Sequence, residues 1–352
     1  MRRAVLLLHQ WIGIAASAFL IVIAVSGSAL VFENEIDRAL NPTLSFVTVP
    51  EGASRLPLER LLGIVNAQQP DDPAGSVRIA DRPDQSFEFS SPVRRSTFVD
   101  PYTGRILGSR NREHGFARWV HLLHTRLVAG DVGELLVGVF SVAMLLLALS
   151  GLVLWWPRKI VALRAAASWK RANFDLHNFV GFYSSPIILL ITLSAVLIAF
   201  EKTTDPLVKR LNDVPDAPPP SSTPVAGAKR ITLDRAVATA SAALPGASVS
   251  NLNVPAAPRA AFRILAKFPE DRTPAGRSRV HLDQFSGEVL LVENTRTAPL
   301  GTRILNLKRS AHTGDIFGAL TQALYFIVSL GIAMQAVTGV LIWWNGRKRN
   351  SA

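Results

Sequence analysis

The chain has 352 residues, no cysteine and a formal net charge of +12. Its mean hydropathy is positive, at +0.25, which is unusual for a soluble protein. The absence of cysteine excludes disulfides, iron–sulfur clusters and thiolate zinc sites.

Long uncharged runs recur four times along the chain. A helix needs about 20 apolar residues to cross the hydrocarbon core of a membrane. One such run lies in each of four predicted transmembrane helices, at 9–32, 121–156, 176–200 and 312–344. The first run follows two arginines, as in a signal peptide. We interpret it as a retained anchor, because it is longer than the apolar region of a signal peptide and no A-x-A site follows.

Basic residues flank these spans on one side of the membrane. The positive-inside rule places that side in the cytoplasm. We therefore predict cytoplasmic termini, a cytoplasmic loop at 157–175 and a cytoplasmic tail at 345–352. The other charges nearly cancel, so the basic excess indicates topology and contact with membrane lipid, and no nucleic acid is expected as a partner. The flanking basic residues are Arg2, Arg3, Arg158, Lys159, Arg164, Lys170, Arg171, Arg347, Lys348 and Arg349.

The two long segments at 33–120 and 201–311 lie on the outer side and resemble each other. Each contains an amphipathic helical pattern, LPLERLLGIVNAQ from Leu56 and ITLDRAVATASAA from Ile231. Each then has two strands around an Asp-x-x-x-Gly turn, in which Asp caps the turn and Gly supplies a positive φ. Each segment is therefore predicted to be a small α+β domain.

The two halves of the chain carry histidines at matching positions. His9 in LHQWIG matches His177 in LHNFVG, and His124 in LLHTRLVAG matches His312 in AHTGDIFG. Both halves begin and end on the same side of the membrane. They are therefore predicted to be parallel repeats, related by a pseudo-two-fold axis along the membrane normal. The predicted fold is a membrane α-helical four-helix bundle with internal parallel duplication and two outer α+β domains.

The symmetry predicts two sites, each with two opposed imidazoles. A span of about 22 residues separates the two levels by roughly 30 Å, so no single metal ion can use all four histidines. Two imidazoles leave a bare zinc or iron ion short of ligands. They complete the coordination of haem iron, because the porphyrin supplies four nitrogens. We expect His9 and His177 to hold an inner haem iron, and His124 and His312 an outer one.

Neighbouring residues support this hypothesis. Gly13 and Gly181 lie one turn after the inner pair, where they leave room for a flat ring; Gly130 and Gly318 follow the outer pair. His121 is an alternate ligand, although its repeat partner is an arginine. Cations near each pair could bind haem propionates: Arg2, Arg3 and Arg171 inside, and Arg126, Lys308 and Arg309 outside. The competing interpretation is that the histidines are interfacial anchors or polar contacts between helices.

The ordered motifs LHQWIG, LLHTRLVAG, LSGLVLWWPR, DLHNFVG, AHTGDIFG and VTGVLIWW resemble the PepSY-associated transmembrane family. The outer domains resemble PepSY domains, and the resemblance covers nearly the whole chain. It implies a bacterial inner (plasma) membrane protein with periplasmic PepSY-like domains and a link to iron uptake. Some members are ferrisiderophore reductases of the FoxB type with haem b in the helix bundle. The resemblance thus implies two haem b groups, an oxidoreductase activity and a ferric siderophore as acceptor.

Two other classes of function stay open at this point. The chain could be a non-haem sensor or accessory subunit that uses its PepSY-like domains for binding. It could also be a transporter subunit, although no span carries an acid or base near its centre, where coupling residues usually lie. No G-x-G-x-x-G or Walker A pattern is present, so an electron donor would be a separate cytoplasmic reductant or quinol.

Overall fold

The structure, a computed structural model, describes residues 1–93, 95–156, 168–214 and 218–350, without the side chains of residues 348–350. Most of the predicted loop at 157–175, with Arg158, Lys159 and Arg164, lies outside these residues, as do the side chains of Lys348 and Arg349. The chain divides into two compact units. A helical unit comprises 1–33, 116–208 and 307–352, and a sheet unit comprises 34–115 and 209–306.

Four helices among the described residues are long and apolar enough to cross a membrane. They make the chain a multi-pass membrane protein. These helices are α1 (Arg2–Val31), α6 (Gly130–Trp155), α7 (Trp169–Ala199) and α11 (Ala319–Asn350). The shorter helices are α2 (Glu33–Leu40), α3 (Pro42–Ser45), α4 (Leu58–Gln68), α5 (Phe116–Arg126), α8 (Glu201–Leu211), α9 (Leu233–Ala243) and α10 (Leu300–Thr313).

The four long helices pack around one apolar core. Small residues such as Ala16 let the backbones approach closely, as is usual between membrane helices. Side chains on the outer surfaces, such as Leu135 and Leu193, are apolar and exposed, which suits contact with lipid. The buried core residues are Ala16, Leu20, Ala24, Met144, Leu147, Ile188, Val328, Ile332 and Ala333.

The predicted spans at 121–156 and 312–344 are each interrupted. In the first, α5 and α6 are separated by Leu127, Val128 and Ala129, and the first two have φ angles of 48° and 55°. In the second, α10 ends before Gly314 (φ 76°), and a 3₁₀ turn leads to Gly318 (φ 68°) and α11. Positive φ values are incompatible with a continuing right-handed helix. The histidine-bearing helices α5 and α10 are therefore separate elements that can turn away from the spans.

The sheet unit contains one antiparallel sheet built from both outer segments. The two α+β domains predicted at 33–120 and 201–311 are therefore not independent, because strands of the two segments hydrogen-bond to each other. Among the described residues the sheet has eight strands in the order β4-β3-β2-β1-β5-β6-β7-β8. They are β1 (Ser76–Arg78), β2 (Phe87–Ser90), β3 (Arg95–Val99), β4 (Ile106–Asn111), β5 (Ser248–Asn253), β6 (Phe262–Lys267), β7 (Ser278–Leu282) and β8 (Val289–Glu293).

The central strands β1 and β5 meet in a symmetric register. Val77 lies opposite Leu252, and both side chains are fully buried. The interval between these two residues in the sequence equals the interval between Leu56 and Ile231, which begin the two helical patterns. The flanking pairs are Ser76 with Asn253 and Arg78 with Asn251. The same sequence interval relates Ser76 to Asn251 and Arg78 to Asn253, so the two flanking pairs are repeat equivalents of each other on either side of the Val77–Leu252 pair.

Helices α4 and α9 cover one face of the sheet and cap each other. The carboxylate of Asp234, in α9, accepts hydrogen bonds from the backbone N–H groups of Leu58 (2.8 Å) and Glu59 (3.0 Å) at the start of α4. Glu59 in turn accepts from the N–H of Leu233 at 2.9 Å and pairs with Arg230 at 2.7 Å. Negative charge at a helix N-terminus satisfies free N–H groups and favours the helix dipole.

The reciprocal capping predicts an effect that crosses from one half of the chain to the other. Asp234→Ala should speed amide exchange at the start of α4 by roughly 2- to 30-fold, since losing a cap costs about 0.5–2 kcal/mol. Hydrogen exchange with mass spectrometry on the full chain in detergent measures this. The exposed Glu51→Ala is the control. Acceleration confined to α9, or an equal effect of Glu51→Ala, would contradict the capping account.

The same contact predicts a pH dependence. Burial alone would raise the pKa of Glu59, but the hydrogen bond from Arg230 and the N–H of Leu233 outweigh it and lower the pKa below its ordinary value of 4.5. The stabilisation is therefore complete above pH 4.5 and is lost as the pH falls below it. Amide exchange at the start of α9 should quicken as the pH falls below 4.5, after correction for intrinsic rates, and Glu59→Gln should remove most of this change.

Candidate cofactor site

The inner histidines His9 and His177 line one cavity in the helical unit. Its volume is about 970 Å³, at the upper end of the roughly 300–1,000 Å³ found for small-molecule and cofactor sites. The cavity is bordered by residues from all four long helices. Cationic and glycine residues of the lining are Arg2, Arg3, Arg171, Arg347, Gly13, Gly151, Gly181, Gly339 and Gly346.

A hydroxyl group orients each inner imidazole. His9 Nδ1 lies 2.8 Å from Ser150 Oγ, and His177 Nδ1 lies 2.8 Å from Thr338 Oγ1. The Ser150 hydroxyl donates its proton to the Leu146 carbonyl at 2.6 Å, and the Thr338 hydroxyl donates to the Gln335 carbonyl at 3.2 Å. With its proton on that carbonyl, each hydroxyl oxygen accepts from Nδ1–H. This leaves the lone pair on Nε2, the nitrogen that can bind a metal.

Backbone carbonyls orient the outer imidazoles in the equivalent way. His124 Nδ1 lies 2.9 Å from the Ile23 carbonyl oxygen, and His312 Nδ1 lies 3.1 Å from that of Ile191. A carbonyl only accepts, so both Nδ1 atoms carry the proton and both Nε2 atoms keep a lone pair. Ile23 and Ile191 are also repeat partners, because the interval between them in the sequence equals that between His9 and His177.

The spacing of the outer rings suits a shared metal. The ring centroids of His124 and His312 are 6.0 Å apart. Two imidazoles bound in line to one metal would put the centroids roughly 6 Å apart, since each metal–nitrogen bond is about 2.0–2.1 Å and a centroid lies about 1.1 Å beyond its nitrogen. The structure thus brings together both predicted pairs, the inner one around a cavity and the outer one in ring contact.

The two pairs are closer to each other than the roughly 30 Å predicted from the sequence. His124 contacts α1 at Ile23, and His312 contacts α7 at Ile191. Each of these isoleucines follows the inner histidine of its own helix by about four turns, so the two levels are about 21 Å apart along either helix. The difference arises because the breaks after α5 and α10 let these helices lie beside α1 and α7.

Glycines allow the rings to lie against helix backbones. A Cβ atom on Gly151 would lie 3.4 Å from His9 Cε1, and one on Gly339 would lie 3.4 Å from His177 Cε1. A Cβ on Gly27 would lie 2.8 Å from His124 Cε1, which is closer than real Cβ contacts. Gly13 and Gly181 line the inner cavity, and their contact with a flat ring stays a prediction.

Gly130 and Gly318 have a conformational role in the structure, while their predicted cofactor contact stays a prediction. They have φ angles of 59° and 68°, and each directly precedes or begins a spanning helix. A Cβ on either would meet no other atom within 4 Å. Their contribution is conformational, because they permit the breaks that separate α5 from α6 and α10 from α11.

His121 differs from the four paired histidines. Its Nδ1 is buried and has no hydrogen-bond partner among the described residues. The hydrogen bond that fixes the tautomer and ring orientation of the other four is therefore missing. His121 lies one turn before His124 in α5, so it stays the alternate ligand at the outer level.

Three of the six predicted cations already have acidic partners. Lys308 contacts Asp205 at 2.7 Å and Glu201 at 3.3 Å. Arg126 contacts Glu134 at 2.8 Å, and Arg171 contacts Asp175 at 2.9 Å. Neutralised cations attract an anionic group less, so Arg2 and Arg3 on the inner cavity are the better candidates for binding carboxylates.

The donor set fits haem better than a bare metal ion. Within the described ranges, no group of three or more His, Asp or Glu side chains could hold a metal ion. Each level instead offers two Nε2 lone pairs, which is the axial set of a bis-histidine haem. The hydroxyls of Ser150 and Thr338 were missed in the sequence, although they precede Gly151 and Gly339 at equivalent places of the repeat.

Comparison with known proteins identifies one family. The sequence profile described as "PepSY-associated TM region" matches residues 6–346, almost the whole chain. A search of curated proteins finds no significant match.

The hydroxyl contacts predict a defined tautomer. In full-length protein with ¹⁵N-labelled histidine at pH 8, solid-state NMR should show His9 protonated at Nδ1 only. Ser150→Ala should remove this constraint and change the His9 signals. Ser141→Ala, on the same helix but bonded only to its own backbone, is the matched control. A His9 protonated at Nε2 in the parent protein would contradict the proposed ligand geometry.

Proposed function

The chain belongs to the PepSY-associated TM-region family, and we propose that it is a haem b oxidoreductase of the bacterial inner membrane. In this proposal the bundle holds two haems and passes electrons to ferric iron bound by a siderophore in the periplasm. His9 and His177 hold the inner haem iron, and His124 and His312 the outer one.

One observation carries the proposal. All four histidines have Nδ1 hydrogen-bonded to a neighbouring helix, so all four retain the Nε2 lone pair. They form two pairs at two levels of one bundle. Polar contacts between helices would also explain the Nδ1 bonds, and any neutral imidazole that donates from Nδ1 leaves Nε2 unprotonated. They would not explain why the four rings form two pairs, one lining a cavity and one with ring centroids 6.0 Å apart.

The residues around the pairs support a defined redox environment. Haem iron would supply a one-electron Fe(III)/Fe(II) couple at each level. The Nδ1 hydrogen bonds fix each imidazole and raise the basicity of its Nε2 atom. At the inner level, Arg2 and Arg3 line the cavity and can neutralise propionate groups. The apolar core between the levels, including Leu20 and Met144, excludes water.

The direction of the proposed path follows from topology and symmetry. We infer that the halves are parallel repeats, because the contacts of His9 and His177, and those of His124 and His312, recur at equivalent positions. The positive-inside rule puts His9 near the cytoplasm. Electrons would then enter from a cytoplasmic reductant or quinol at the inner level. The outer pair contacts α1 and α7 nearer the ends from which the chain continues into the two long segments, which we assign to the periplasm.

The siderophore assignment extends the family resemblance. Hard oxygen ligands such as those of a siderophore favour Fe(III) over the larger, less charged Fe(II). One-electron reduction therefore weakens the chelate and releases iron without hydrolysis of the ligand. The proposed reaction transfers one electron to each ferric ion and involves no bond to the protein.

Substitution of the histidine pairs tests the cofactor assignment. His124→Ala with His312→Ala should halve the haem per chain, and His9→Ala with His177→Ala should remove the other half. Visible difference spectra and haem extraction from purified protein measure this. His114→Ala, in an exposed loop, should have no effect. Unchanged haem content in both double variants would contradict the assignment, and His121→Ala would then be the next variant.

Reconstitution tests the electron path. Liposomes that contain an impermeant reductant inside and ferric siderophore outside should produce external Fe(II), which a chromogenic chelator detects. Either double variant should lower the rate to that of empty liposomes, because both levels are needed. A full rate in the outer double variant would contradict the path.

A further inference from the structure

The sheet has one covered face and one partly open face. Buried side chains such as Phe89 and Leu252 face α4 and α9. Side chains of the opposite parity form polar rows across the other face. One row runs through the paired positions Ser90, Ser76, Asn253, Arg263 and His281.

A second polar row runs beside the first and ends in ion pairs. It contains Glu88, Arg78, Asn251, Leu265, Arg279 and Glu293. At one end, Arg78 lies 3.2 Å from Glu88, and at the other, Arg279 lies 3.1 Å from Glu293. The His281 and Arg279 contacts hold the pKa of Glu293 at about 2, so this carboxylate is charged. Both ends are therefore neutralised locally.

The centre of the two rows holds unpaired polar groups. Arg263 is exposed and makes no hydrogen bond or ion pair with any described residue. The amide groups of Asn251 and Asn253 are half-buried and likewise have no side-chain hydrogen bond within the described ranges. Asn253 lies directly opposite Arg263 on the neighbouring strand, so an amide and a guanidinium stand side by side.

The corresponding place in the first half of the chain is arranged differently. By the interval that relates Val77 to Leu252, Phe87 matches Phe262, Arg78 matches Asn253, and Glu88 matches Arg263. The cross-strand ion pair of Arg78 with Glu88 is thus replaced by Asn253 with Arg263. The ion pair of Arg78 with Glu88 in the first half thus corresponds to the unpaired positive charge of Arg263 in the second.

The first half also covers its part of this face. Ser96 is fully buried, and Glu88 is 9% exposed. A Cβ on Gly108, in β4, would lie 2.6 Å from Leu44 of α3, which shows that α3 packs against this end. Arg263, in the equivalent region of the second half, stays exposed. The unpaired positive charge of Arg263 therefore lies where this face of the sheet is exposed.

We propose that this open region docks an anionic, carboxylate-bearing ferric chelate. We call it the Arg263 platform and define it as Ser76, Arg78, Asn251, Asn253 and Arg263. A guanidinium recognises carboxylate oxygens with two parallel N–H donors, and the flanking amides supply further donors. That the chelate is the electron acceptor rests on the proposed function; that the platform binds an anion does not.

Charge on the whole face favours such a ligand. Its basic residues outnumber its acidic ones, which raises the local concentration of anions and speeds their encounter. Neighbouring strands also present side chains about 5 Å apart, so donors on adjacent strands can contact several oxygen atoms of one ligand. The charged residues of the strands on this face are Arg78, Arg110, Arg263, Lys267 and Arg279, against Glu88 and Glu293. Arg110 is neutralised by Asp37 of α2, so the excess comes from the other four.

Calorimetric titration of the full-length protein with ferric citrate tests the platform. Arg263→Gln should weaken binding roughly tenfold or more, through loss of a charge-assisted contact. Arg60→Gln, which removes an exposed charge from α4 on the covered side of the sheet, should leave binding unchanged. The double variant Asn253→Arg with Arg263→Glu rebuilds the ion pair of the first half. It should fold with normal amide exchange in β5 and β6 and should also lose binding.

The outcomes separate this inference from the proposed function. Haem content and spectra of Arg263→Gln should equal those of the parent protein. Equal binding by parent and Arg263→Gln, or displacement of ferric citrate by equimolar inorganic phosphate, would overturn the platform while leaving a haem-containing conduit intact. A haem-free parent protein that binds ferric citrate through Arg263 would overturn the proposed function and keep the platform.

Discussion

The hydrogen bond at Nδ1 of each paired histidine is the contact on which the site depends. Ser150 and Thr338 accept it at the inner level, and the carbonyls of Ile23 and Ile191 accept it at the outer level. It connects a histidine on one helix with an acceptor on another, so it also orients the helices. Three of the rings, those of His9, His124 and His177, lie against a glycine, where a larger residue would crowd the imidazole.

The two levels share a geometry but differ in their acceptors. The inner hydroxyls can rotate, and they are themselves held by carbonyls of their own helices. The outer acceptors are backbone atoms, which no substitution can remove. The outer level can be perturbed only through the histidines or through residues that position them, such as Gly27. A similar balance of symmetry and difference holds in the sheet, where the register is symmetric about Val77 and Leu252 but the charges at Glu88 and Arg263 are opposite.

Much of this architecture follows from patterns that one sequence contains. Four apolar runs gave the spans, and the recurrent histidines gave the two pairs. The turns at Asp100 and Asp283 are present as predicted, with Gly104 and Gly287 at positive φ. These features depend on local chemistry or on repetition, which a sequence shows directly.

Other features depend on contacts between distant segments. The break after α5 was missed because Leu127 and Val128 carry the positive φ angles, and neither residue type favours them. Consequently the separation of the two levels was overestimated. The union of both outer segments in one sheet was missed because β1 is three residues long and polar at both ends. The unpaired charge of Arg263 could be recognised only from the strand register, which places Arg263 opposite Asn253 instead of opposite an acidic residue.

The most direct test of the central claim is the haem content of the purified full-length protein, measured with its low-temperature electron paramagnetic resonance spectrum. The account predicts two haem b per chain, both low-spin with two imidazole ligands, because each level offers two Nε2 lone pairs. A colourless protein from haem-replete cells would contradict it. The four histidines would then be polar contacts between helices, and the chain would be a membrane-anchored binding protein of the same family.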